Sequence, residues 1–226
     1  EIIFYLPWHD NDKLLEMIEY KLNLKNTKRI YARKTDARVE KIDKKHRDFL
    51  RDNHILDSPP LRNKITAISL YEKNTDNMIG LGVFTQYKNN GNVVGAELKR
   101  LVFESGYSVT GGTSKIIKTF IRNFPEYKTI YTFSDNDLGD GGVYETLNFE
   151  LIRNVNKQLN WYNIEFDRKF SDLSLVMTGA DRLLSWYPGY TPFGIGEDLP
   201  SNQDIVQLYG FLPIYDKGYK KWKLDV

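Results

Sequence analysis

Two alternating stretches at 65–72 and 78–87 set apolar against polar positions with a period of two, the signature of strands with one buried face. Lys73-Asn74-Thr75-Asp76-Asn77 between them reads as a hairpin loop, and Asn89-Asn90-Gly91-Asn92 is a second turn leading into a third strand over 93–103. Ser105-Gly106 and Gly111-Gly112 then interrupt the pattern. Ile116, Ile117, Phe120, Ile121 and Phe124 recur at helical spacing opposite Lys115, Lys118 and Arg122, which predicts an amphipathic helix over 113–124. Pro125 stops it, and the alternation of 128–134 predicts a strand parallel to 93–103 if the connection is an ordinary crossover.

The rest of the chain is less regular. A strand is expected at 2–6 before Pro7, and then a helix capped by Asp10 or Asn11 and running to Leu24. A short strand is expected at 29–34. Ile42, His46, Phe49, Leu50 and Asn53 mark one face of a helix over 41–54, and Ser58-Pro59-Pro60 marks a loop. Segments 150–153 and 158–166 read as a hairpin. Beyond 167 the pattern predicts a helix at 178–186, a turn-rich aromatic segment at 187–200 that either covers a site or is a surface loop, a capped helix at 201–208 and strands across 211–224. Antiparallel strands followed by a strand-loop-helix-strand unit give an α/β fold with a mixed sheet. Three segments are expected: 1–40, a core over 41–166, and an extension over 167–226.

Composition narrows the chemistry. With 226 residues, 41% of them hydrophobic and 14% aromatic, the chain can bury a sizeable core. The absence of cysteine removes disulfides and thiolate chemistry and fits a reducing cytoplasm. His9, His46 and His54 lack a zinc-binding spacing, and no stretch is long and apolar enough to predict a membrane span. A start at Glu1 reads as a trimmed or processed chain. The net charge is only +2, yet residues 21–51 hold twelve Lys or Arg against four acids. That segment either contacts phosphates, with Lys44 and Lys45 among the cations, or is a solvated helix face and loop.

The glycine pair raises a sharper possibility. Amides at a helix start lack intrahelical partners and carry the positive end of the dipole, so a strand, a glycine turn and a helix opening at Thr113-Ser114-Lys115 can hold an anion. The alternative is a tight turn capped by Thr113 or Ser114. Neither G-x-x-x-x-G-K-[ST] nor G-x-G-x-x-G occurs.

This order of elements, closing on Tyr144 and Leu147-Asn148-Phe149, resembles the second half of GNAT acyltransferases, where a tyrosine precedes a Leu-Gly-Phe-like turn. The loop Ser108–Thr113 departs from that family's Gln/Arg-x-x-Gly-x-Gly/Ala pattern, lacking both the Gln/Arg and the final small residue. The segments 30–34, 49–54, 97–100, 106–112, 144–149 and 214–216 look like phage-encoded GNAT-like proteins of the Mom-like group, often attached behind a nuclease-type domain. The resemblance implies an acyltransferase that modifies DNA bases with acetyl-CoA or another acyl-CoA. It places the cofactor at Gly111, Gly112, Thr113, Ser114 and Lys115, and makes Tyr144 the acid for the departing thiolate. From the residues themselves, Ser134 and Asp135 at a strand end, Glu97 and Arg100 on the strand before the loop, His54, and Tyr162 as a base-stacking ring are the remaining candidates. Asp135 is either a base or the start of an Asx turn. Glu97 and Arg100 point to opposite faces of an ideal strand, so they share a pocket only if a bulge intervenes. A non-catalytic nucleic-acid-binding module and a small-molecule or protein N-acyltransferase remain as rival readings.

Overall fold

The computed structural model describes residues 11–22, 24, 26–55, 65–155, 157–192 and 200–226. The strand expected at 2–6, the Pro-Pro loop and residues 193–199 of the 187–200 segment lie outside them. The described elements are α1 (Asn11–Lys21), β1 (Lys28–Tyr31), a 3-10 turn (Ala32–Lys34), β2 (Thr35–Lys41), α2 (Lys44–Asn53), β3 (Ile65–Glu72), β4 (Met78–Asn89), β5 (Asn92–Phe103), β6 (Tyr107–Thr110), α3 (Gly112–Asn123), β7 (Thr129–Asp135), α4 (Gly142–Glu145), β8 (Glu150–Val155), β9 (Gln158–Asn163), β10 (Arg168–Ser171), α5 (Asp172–Thr178), α6 (Ala180–Leu184), α7 (Asn202–Leu208), β11 (Leu212–Asp216) and β12 (Tyr219–Asp225).

These divide into two compact units. The first, from the described residues of 9–134, 140–153 and 220–226, is organised by a seven-stranded sheet of order β2-β3-β4-β5-β7-β12-β8. Strands β2 to β5 pair antiparallel, while β5 and β7 pair parallel, so the sheet is mixed and the fold is α/β, as the sequence pattern predicts. Helix α3 supplies the crossover. Its Ile116, Ile117 and Phe120 are buried in a core with Ile68, Phe84, Leu98 and Ile130, and the Phe84 and Phe120 rings stack at 4.0 Å. Gly82 makes this possible, because a Cβ there would stand 2.4 Å from Ile116 Cγ2. A separate core of Leu50, Ala67, Leu81, Val83 and Val102 lies beneath α2.

In the second unit, the three-stranded sheet β10-β9-β11 packs Trp161, Leu175, Leu184, Val206 and Phe211 into their own core. The hairpin expected from 150–166 does not form, since β8 joins the seven-stranded sheet and β9 joins β10 and β11. The sequence pattern also leaves β2 unassigned, between the strand expected at 29–34 and the helix expected from 41. Thr35, Ala37 and Val39 do alternate with Asp36, Arg38 and Glu40, but this edge strand of mostly polar residues buries no strongly apolar face, so its alternation is a weak signal. Among the described residues, no helix is long and apolar enough to cross a membrane.

Candidate active site

The parallel pair at the centre of the first unit is short. Ala96, Glu97 and Leu98 of β5 face Ile130, Tyr131 and Thr132 of β7, and beyond Leu98 and Thr132 the two strands run on without pairing, to Phe103 and Asp135. The sheet therefore opens at this point. Thr132, itself buried, fastens the last rung by donating from Oγ1 to the Leu98 carbonyl at 3.1 Å. Tyr144 reaches the same place from α4. Its ring packs against Phe149 and Trp222, and its hydroxyl meets the Thr132 side chain. Burial raises the phenol's pKa and the Thr132 contact offsets part of the rise, so Tyr144 carries its proton at neutral pH.

The turn behind Tyr144 follows from its residues. Phe149 N–H donates to the Tyr144 carbonyl at 3.0 Å, Asn148 N–H donates to Glu145, and Asn148 takes φ 62°, so Asn fills the left-handed position given to Gly in the resembling pattern.

The glycine loop serves more than one purpose. Tyr107–Thr110 forms β6, which pairs in parallel with β1 in the register Lys28↔Tyr107 to Tyr31↔Thr110. Part of the loop's backbone is therefore engaged by protein. Gly111 takes φ 79° and caps α3 without a side-chain hydrogen bond. Gly112 is required by packing, because a Cβ would sit 2.6 Å from the Phe103 ring and 3.0 Å from Val109. Neither Thr113 nor Ser114 caps the helix, and the first intrahelical donor is Lys115 N–H, to Gly111 at 3.0 Å. The amides of Gly112, Thr113 and Ser114 precede it, and they are the groups able to hold a phosphate. Arg29, Arg33 and Lys34 supply exposed positive charge on the adjoining segment, with Arg29 Nε donating to Thr110 Oγ1 at 3.4 Å. Lys115 does not fit the cofactor role expected of it. Its ammonium donates to the carbonyls of Ala32 (2.9 Å) and Thr35, and burial lowers its pKa.

The remaining candidates separate. A bulge makes Lys99 the extra residue on β5, because Phe84 faces Leu98 while Val83 faces Arg100. Glu97 and Arg100 thus share one face, which an ideal strand would forbid. Glu97 is buried and pairs with Lys99 at 2.9 Å. Ser134 accepts from Trp222 Nε1 at 2.9 Å, an anchoring contact that ties up the hydroxyl expected to meet substrate. In the second unit, Asp135 accepts from Asp137 N–H at 2.8 Å, the Asx turn that was the structural alternative to a base. Burial raises the Asp135 carboxyl's pKa, Asp216 adds to the rise, and the Asp137 amide opposes it. Tyr162 is also buried there, donating to Asp167 Oδ1 at 2.9 Å, so its ring is not offered to a base. His54 takes the C-cap of α2. Lys44 is exposed, while Lys45 reaches the Tyr71 hydroxyl at 3.5 Å and lies 4.6 Å from the centre of its ring.

Sequence reading missed Thr132 and Trp222. A polar residue on the buried face of an apolar strand is a usable signal for Thr132. Trp222 is distant from Tyr144 in sequence and gives none. Among the described residues no cluster of three or more His, Asp or Glu could hold a metal.

No protein-family model matches the chain, and no curated protein matches it. Among solved structures, a GNAT family acetyltransferase from Elizabethkingia anophelis with acetyl-CoA bound is 10% identical, with 85% of this chain and 99% of that one covered and a TM-score of 0.41. A Bacillus subtilis acetyltransferase in complex with CoA is 11% identical over the same shares, with a TM-score of 0.46. The ribosomal-protein-S18-alanine N-acetyltransferase from Escherichia coli is 11% identical over 59% of this chain and 88% of that one, with a TM-score of 0.39. These scores are low, and the α/β architecture rests on the strand order itself.

Proposed function

We propose that this protein is a GNAT-type acyltransferase that uses an acyl-CoA donor and modifies nucleic acid, with DNA the favoured acceptor. The observation that carries the reading is the parting of β5 and β7 directly after Leu98 and Thr132, with the Tyr144 hydroxyl at the fork. Glu97, Arg100 and the start of α3 lie on the same β5-α3 unit. An acyl-CoA, when bound, supplies an activated acyl carbon and a thiolate leaving group. The amides of Gly112, Thr113 and Ser114 would hold its phosphates. Tyr144 would hold the proton a departing thiolate needs, in a dry setting that keeps the phenol neutral. Glu97, buried on the other face of β5 and paired with Lys99, is the carboxylate that would orient or deprotonate the acceptor. The exposed cations Arg29, Arg33, Lys34, Lys44 and Arg47 support a phosphate-bearing acceptor.

Thermal-shift measurement with CoA and acetyl-CoA tests the donor, and nucleoside mass spectrometry from expressing cells tests the acceptor. Stabilisation by either ligand supports the reading. Its absence favours a second one, a nucleic-acid-binding module that keeps the fold without a cofactor. The pairing of β6 with β1 and the engagement of Lys115 by carbonyls are the observations on that side.

A further inference from the structure

On the sheet face that carries Glu97, rings from two strands converge on one amine. Tyr87 of β4 pairs with Gly95 of β5, and Glu97, two residues on, pairs with Tyr131 of β7, so these side chains stand on one side of the sheet. Gly95 leaves the gap in which the Tyr87 and Tyr131 rings meet, their centroids 4.2 Å apart, because a Cβ there would stand 3.1 Å from the Tyr131 ring. Lys221, from β12 on the far side of β7, brings its ammonium to 4.6 Å from the centre of the Tyr87 ring, 4.9 Å from Tyr131 and 5.9 Å from Phe133. All of these residues belong to the first unit.

The charge on this amine has no carboxylate to answer it. Among the described residues Lys221 makes no ion pair, and it donates to the Tyr87 hydroxyl at 2.6 Å. The rings steady a cation through their faces but offer it no oxyanion for its remaining N–H bonds. Having accepted from the ammonium, the Tyr87 hydroxyl keeps its own proton to give, and the neighbouring charge strengthens it as a donor. A charged N–H and an O–H side by side suit a phosphate oxygen. Glu97 would repel such a group, but Lys99 at 2.9 Å offsets its charge. Glu97 stands one strand repeat, about 7 Å, from Gly95, so a group held by Lys221 and a group held by Glu97 can belong to one small acceptor.

We propose that Lys221 and the Tyr87 hydroxyl form the subsite for a phosphate of the acceptor, a nucleotide whose base reaches Glu97, with the Tyr131 ring holding the ammonium in place. This rests on the acyl-transfer reading and names the part of a nucleic acid that its acceptor side grips. The amine is half-buried among rings, so the subsite fits a nucleotide of a single strand and not a phosphate in the outer backbone of a duplex.

Calorimetric titration of the full chain with deoxycytidine monophosphate, deoxycytidine and succinate tests it. The monophosphate should bind saturably, deoxycytidine about tenfold more weakly for want of the phosphate, and succinate no better than deoxycytidine. Lys221→Met keeps an apolar stem against the rings and should bring monophosphate affinity down about tenfold, to that of deoxycytidine. Tyr87→Phe removes only the hydroxyl, should lower the same affinity about threefold, and carries the test if Lys221→Met unfolds. No saturable monophosphate binding, equal binding of deoxycytidine, succinate binding as tightly as the monophosphate, or undiminished monophosphate binding by folded Lys221→Met or Tyr87→Phe would overturn the assignment. A CoA thermal shift, expected to be equal in Lys221→Met and the parent protein, reads the donor side. Its absence from both would sink acyl transfer and leave the phosphate subsite standing, so the two can fail separately.

Discussion

At the scale of single residues, Asn148 is the position where sequence and backbone agree most directly. Its φ of 62° closes the turn that holds Tyr144, and an L-residue without a short polar side chain pays for that conformation. Asn148→Ala should cost about 1 kcal/mol and Asn148→Gly should be neutral or slightly stabilising, as read by urea unfolding. The glycine pair divides in a way that spacing cannot show. Gly111→Ala meets only Ala32 Cβ at 3.5 Å, so its penalty is the left-handed backbone, whereas Gly112→Ala would press on Phe103 and Val109. Gly112→Ala should therefore destabilise by about 1–3 kcal/mol, more than Gly111→Ala, in a paired denaturation series. The turn that holds Tyr144 was legible because it has a sequence pattern. Ser134 and Asp135 were legible as strand-end polar residues, but what they bond to was not. Trp222 lies 88 residues from Ser134 in sequence, and the Asx turn at Asp135 competes with any substrate for the same oxygen.

Among the elements, local periodicity could be read and long-range pairing could not. Helix α3 and strands β3, β4, β5 and β7 each bury a continuous face, so their periodicity survives in the sequence. Strands β1 and β6 have four residues each, and their pairing joins segments some eighty residues apart, which no local pattern encodes. The face of α2 was visible, but the network at its start was not. His46, fully inside, meets Asp43 at 2.6 Å, Ser69 at 3.0 Å and Glu40 at 3.3 Å, and Asp43 also accepts from the His46 amide as N-cap. The Asp43 carboxyl is held below its ordinary pKa by the His46 amide and ring. Burial pushes Glu40 up, but hydrogen bonds from Ser69, His46 and Tyr71 outweigh it and leave that carboxyl low as well. A carboxylate depressed in the folded state stabilises above its unfolded pKa and loses that contribution as pH falls through the folded one. The urea midpoint should hold from neutral pH to about pH 5 and then decline. Asp43→Asn keeps a competent cap while removing the charge, so it should flatten that decline, and an unchanged acid limb would show that the pairing contributes nothing.

At the scale of the whole molecule, a net charge of +2 conceals how the basic segment is arranged. Several of its cations are paired with acids: Lys28 with Glu72 at 2.7 Å, Arg38 with Asp76 at 2.9 Å, and Arg51 with Asp48 at 2.7 Å. Lys45 is also engaged, over the Tyr71 ring and toward the Asp76 carbonyl at 3.3 Å. The cations able to release counterions from a polyanion are therefore fewer than composition suggests, and exposed Lys44 and Arg47, which make no ion pair among the described residues, are the ones to test on α2. The double change Lys44→Glu with Arg47→Glu should leave the melting temperature near that of the parent protein. If both touch phosphates, it should also reduce the slope of log affinity for duplex DNA against log salt by about two. Lys45→Glu is a poorer probe, because it also disturbs the Tyr71 contacts and would weaken binding through the fold. A double variant that is folded and keeps its full salt slope would place the nucleic acid elsewhere on the surface or remove it from the function. The acyl-transfer reading would then turn toward a small-molecule or protein acceptor, since the fork at Leu98 and Thr132 does not depend on what α2 contacts.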